Sequence, residues 1–153
     1  MFRRKNDYNN NKFYFNEAIL IKYKVYRMEK RSSEEIKKML LGFLENFAPS
    51  AAVCCELGNI FNEQGKVDAA KFWFESALKV AKQHPEDHVE YNEFCPYYGL
   101  AYCHFYYGNL KKAIDYSSRA IALFPNNQFA QRNHELYWKE YLKRERMKHN
   151  EKQ

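Results

Sequence analysis

Long apolar runs are missing from this chain. No stretch approaches the roughly 20 apolar residues that a membrane span requires, and the opening MFRRKNDYNNN leads into no apolar run, so neither a span nor a signal peptide is expected. Glycine and proline are scarce, at 5 and 4 of 153 residues, which favours long helices over many short strands. Asp7, Asp68, Asp87 and Asp115 are the only aspartates, so the chain has no D-x-D pair to hold a divalent metal against a diphosphate. A G-x-S-x-G elbow and a phosphate loop are also missing. The four cysteines, Cys54, Cys55, Cys95 and Cys103, lack paired C-x-x-C spacing, and neighbours such as Cys54 and Cys55 point to different sides of a helix. They are expected to be free buried thiols of a reduced, cytoplasmic protein. His84 and His88 are four apart, but Pro85 breaks the helix that would align them on a metal. No metal and no cofactor is expected.

Aromatic residues are abundant, with 13 Tyr and 12 Phe, and an apolar content of 46 % suffices for a packed core. The net charge of +6 comes mainly from the ends, in Arg3, Arg4, Lys5 and again in Lys143, Arg144, Arg146 and Lys148. Such ends read as solvated termini, with nucleic-acid binding as the alternative that they leave open.

Residues 1–14, polar and rich in Asn, read as a flexible lead-in. From Phe15 the apolar residues recur at helical spacing as far as Met28. Ser32 with Glu35 forms a capping box for a second helix, which Pro49 closes. Ser50 can cap a third helix over about 51–64, and 66–82 makes a fourth. Residues 84–94 read as an insert, after which Pro96 opens a fifth helix to about Tyr107. A sixth runs over about 110–123, a capping helix covers 127–147, and 148–153 form a charged tail.

Within this order one register recurs. Leu57, Gly58, Phe61, Gly65, Ala70, Phe74 and Ala77 are restated as Leu100, Ala101, Gly108, Ala113, Ala120 and Pro125. Gly58 and Ala70 fall where two antiparallel helices cross, Phe61 and Phe74 beside that crossing, and Gly65 at a left-handed helix end. This register resembles the tetratricopeptide repeat. The resemblance implies an all-α solenoid over 15–147 with three helix pairs, at about 18–50, 51–93 and 94–127, and a C-terminal capping helix. Cys54-Cys55-Glu56-Leu57-Gly58, Phe72-Trp73-Phe74 and the Pro96, Leu100, Cys103 spacing also resemble the repeats that follow the catalytic domain of Gram-positive family-2 glycosyltransferases. That likeness implies an accessory or truncated tail without its catalyst, and so no enzyme activity in this chain.

In such repeats the first helix of each pair lines a concave face. Here that reading selects Lys22 and Tyr26, then Asn59 and Asn62, then Tyr98, Tyr102 and Phe105, with Arg132 from the cap. Aromatic rings and amides suit a groove for a protein or peptide segment, and packing between neighbouring helices is the competing use of the same rings. The sequence therefore leads to a non-catalytic interaction module. The glycosyltransferase accessory and nucleic-acid binding through the basic ends stand as alternatives.

Overall fold

A computed structural model describes residues 3–84 and 88–152, with side chains from residue 15 onward. Among the described residues there are seven α-helices, one π turn and no strand. The helices are α1 (Arg3–Met28), α2 (Ser33–Asn46), α3 (Ala51–Glu63), α4 (Val67–Gln83), α5 (Cys95–Tyr106), α6 (Leu110–Leu123) and α7 (Gln128–Asn150), and the π turn is Glu90–Phe94. They pack in sequential pairs, α1 with α2, α3 with α4 and α5 with α6, and α7 covers α6. Among the described residues no helix is long and apolar enough to cross a membrane.

Local chemistry sets the helix boundaries. Ser32 accepts from the Glu35 amide at 3.2 Å while Glu35 accepts from the Ser32 amide at 3.0 Å, completing the expected capping box. Ser50, Asn109 and Asn127 cap α3, α6 and α7 through their side-chain oxygens. Gly65 (φ 70°) and Gly108 (φ 76°) turn the second and third pairs in the left-handed region. The first pair uses Lys30 there, at φ 54°, where a side chain costs about 1–2 kcal/mol.

The core is organised around one ring. Phe74 on α4 is fully buried, and a Cβ added at Gly58 on α3 would lie 2.6 Å from it. A Cβ at Gly99 on α5 would overlap the same ring still more closely. Phe74 therefore demands a bare backbone at Gly58. Val67, Ala70, Leu100 and Cys103 complete this cluster, while Ile36, Leu40, Leu57 and Ile60 carry the core toward the first pair.

Three expected boundaries move. The helix expected from Phe15 begins at Arg3, so residues 3–14 are helical rather than a flexible lead-in; residues 1 and 2 lie outside the described residues. No Gly or Pro precedes Gly42, so nothing stops an existing helix from propagating backward. The expected insert is also partly helical. Residues 85–87 lie outside the described residues, but Glu90–Phe94 form a π turn that runs into α5. Pro96 has no amide hydrogen and its ring crowds the preceding turn; the turn widens, and the Cys95 amide bonds the Glu90 carbonyl. At the other end α7 continues to Asn150, where the Arg144–Glu140 and Lys148–Glu145 pairs support its last turns.

Gly58→Ala and Gly99→Ala should each lower stability by about 1–3 kcal/mol, because Phe74 cannot retreat within a closed core. Urea unfolding of the two variants checks this, and both melting like the parent would contradict it.

Candidate peptide-binding face

The first helices of the three pairs are joined by a row of polar groups. On α1, Arg27 grips Glu63 of α3 with two bonds of 3.2 and 2.8 Å, and its Nε donates to the Tyr23 hydroxyl at 3.0 Å. Glu56 on α3 is only 7 % exposed. Its carboxylate accepts from Asn59 at 3.4 Å and lies close enough to Tyr23 and Tyr91 for its charge to act on both phenols. Asn59 in turn approaches the Cys95 thiol at 3.8 Å, and the Cys55 thiol donates to the Tyr91 carbonyl at 3.2 Å. One carboxylate thus connects α1, α3 and the π turn ahead of α5.

Burial governs the electrostatics of this row. Desolvation pushes the Glu56 carboxyl above its ordinary range, against the pull of its hydrogen bonds and of Arg27. Tyr23 and Tyr91 are raised by burial and then by the Glu56 charge, so both stay protonated as donors. Burial likewise raises the Cys55 thiol, and that of Cys103 to about 11, which keeps both inert.

Beyond this row α5 presents tyrosines. Tyr98 stacks on Phe94 at 5.9 Å, and its hydroxyl accepts from Asn133 of α7 at 2.9 Å. With that bond made, the Tyr98 hydroxyl still has a proton to donate. Tyr102, one turn along, is 37 % exposed, and Tyr106 is exposed a further turn on. Phe105 instead lies 4.7 Å from the buried Tyr137 ring of α7, where it serves packing between helices.

Asn59 lies on α3 and reaches Cys95, while Tyr98 and Tyr102 lie one turn apart on α5. Asn62 lies further along α3, with its side-chain oxygen buried and unpaired, and Arg132 is exposed on α7 beside Asn133. Lys22 and Tyr26 line a cleft between α1 and α2 instead, and the α1 residues that reach α3 are Tyr23 and Arg27. Sequence reasoning missed Tyr23, Arg27, Glu56 and Tyr91. The first two sit four residues apart and oppose two glutamates seven apart, a complementarity visible in the sequence once α1 and α3 are set side by side. Among the described residues no group of three or more His, Cys, Asp or Glu is placed to hold a metal.

This arrangement defines a tetratricopeptide-like stack with a tyrosine- and amide-lined first-helix face. Residues 51–145 match the family model of the prolyl 4-hydroxylase peptide-substrate-binding domain, and the chain belongs to that family. It is thus a peptide-binding module of tetratricopeptide type. The match lends no support to the glycosyltransferase resemblance. No curated protein matches the chain. Helices α1 and α2 precede the matched residues.

Because burial raises the Glu56 carboxyl, the folded chain holds a proton that the unfolded chain has released once pH exceeds the ordinary carboxylate value. Stability attributable to this group therefore falls as pH rises through that interval. Glu56→Gln, which cannot ionise, should flatten that slope. Urea unfolding across pH 4–8 measures it, and an unchanged slope would show that Glu56 is not the group responsible.

Proposed function

We propose that the chain binds without catalysing, and that its α5 tyrosines take an extended peptide containing proline. The support is the pairing of Tyr98 with Asn133, which leaves the phenol free as a donor beside the exposed ring of Tyr102. A prolyl 4-hydroxylase substrate, named in the family's description, carries proline. Proline-rich segments favour the polyproline II form, in which the backbone makes no internal hydrogen bonds and each proline offers a carbonyl but no N–H. A face that reads such a segment needs flat apolar surfaces and donors, and tyrosine supplies both.

Binding alone is proposed, since the Glu56 carboxyl of this side is buried and already bonded by Asn59. Burial keeps the Cys55 and Cys103 thiols protonated, which suits a reducing, cytoplasmic setting.

Calorimetric titration with a ten-residue oligoproline, against an alanine–glutamine peptide of equal length, tests this reading. Oligoproline should bind, and Tyr98→Ala with Tyr102→Ala should weaken it by about 1–4 kcal/mol in a chain that still melts cooperatively. Unchanged affinity in the folded double variant would remove this face. Equal binding of both peptides would remove the preference for proline.

A further inference from the structure

Gly42 is a glycine that the fold itself does not use. It lies inside α2, where only proline is a poorer helix former. Gly58 and Gly99 make room for Phe74, and Gly65 and Gly108 turn the chain at positive φ. Gly42 does neither, and a Cβ built on it meets nothing within 4 Å. Gly42 borders two clefts, one along α2 beside Glu34 and Glu45 and one of about 530 Å³ between α1 and α2, whose size falls within the roughly 300–1,000 Å³ of small-ligand sites.

The α1–α2 cleft combines an apolar floor with a basic rim. Ile19, Met39 and Phe43 line the floor, and Lys22, Arg31 and Lys38 stand around it with a single carboxylate, Glu35. Glu35 is already held by the Ser32 cap and lies 3.5 Å from Arg31. Lys22 and Lys38 make no ion pair among the described residues. The Lys22 ammonium and the Arg31 guanidinium lie 5.6 and 4.7 Å from the centre of the Tyr26 ring. Arg31 is also paired with Glu29 at 2.8 Å, so the unpaired positive charge at this apolar slot is that of the two lysines, neither of which meets an acid among the described residues. Tyr23 and Arg27 point to α3 while Lys22 and Tyr26 point here, so this cleft is separate from the tyrosine face. It also lies ahead of the family match.

We propose that the α1–α2 cleft is a second docking site, for a peptide segment in which acidic residues flank an apolar side chain. The apolar side chain enters over Gly42, whose missing Cβ lets the partner backbone approach closely. The flanking carboxylates meet Lys22 and Lys38, and at a half-exposed rim such pairs govern selectivity and encounter rate. The site does not depend on the peptide-binding reading of α5.

The test is fluorescence anisotropy on the full chain with a labelled twelve-residue peptide of repeated Glu-Glu-Leu, and with its Gln-Gln-Leu counterpart. The acidic peptide should bind about tenfold more tightly than the neutral one, and more weakly as salt is raised. Gly42→Leu fills the slot from open space, and Lys22→Glu with Lys38→Glu inverts the rim. Each should cost about tenfold in affinity, while Tyr98→Ala with Tyr102→Ala should leave the acidic peptide unaffected. Equal binding of the two peptides would overturn the proposal. So would unchanged affinity in the lysine double variant, or in a Gly42→Leu chain that melts like the parent. Tighter binding of a single-stranded oligonucleotide at the same lysines would overturn it too, since the cleft would then read phosphate rather than a peptide.

Discussion

The ring of Phe74 stands between Gly58 on α3 and Gly99 on α5, and this contact sets how closely two successive helix pairs can stack. An aromatic ring on a second helix is wide enough to bridge two first helices only if both offer bare backbone. The two glycines meet that condition from different repeats. Once α3 and α5 are drawn onto one ring, Cys55 reaches the Tyr91 carbonyl and Asn59 reaches Cys95. The row of first helices, and with it the candidate face, follows from that spacing.

The same constraint explains why so much polarity is tolerated on that side. Glu56 sits where the stack leaves little water, and its charge is offset by two phenols, an amide and Arg27 nearby. Breaking one partner would leave a buried carboxylate short of donors, so the network fixes α1 against α3 and the π turn against both. On the far side of α5, Asn133 and Tyr137 of α7 hold Tyr98 and Phe105 in place. The tyrosines that face outward are thus carried by a rigid helix rather than by a loop, and less freedom is lost when a ligand settles on them.

Much of the fold was legible in the sequence because its signals are local. Gly65, Ser32 and Ser50 end or begin helices by their own chemistry, and the alanines recur at the spacing of a buried stripe. Gly99 was not legible, since the register assigns the small position of that repeat to Ala101, and only the Phe74 ring shows why its neighbour but one is bare. The π turn was hidden because it answers to Pro96 in three dimensions and not to any preference of Glu90–Phe94. For the candidate face, Tyr98 and Tyr102 could be read from a spacing of four. The first pair departs from the motif, and there an error of a few positions carries a side chain to another face, since each residue turns a helix by about 100°. Tyr26 was accordingly expected in the groove, while Tyr23 and Arg27 are the residues that reach α3. The Glu56 network joins groups more than 30 residues apart, which no local pattern announces.

The proposed function places the peptide on one face, built from first helices and centred on α5. Its most direct test is a nitrogen-15 chemical-shift titration of the full chain with unlabelled oligoproline. Shifts should concentrate between Tyr91 and Tyr106 and around Asn133, with the outward faces of α4 and α6 unmoved. Shifts confined to α4 and α6 would contradict it.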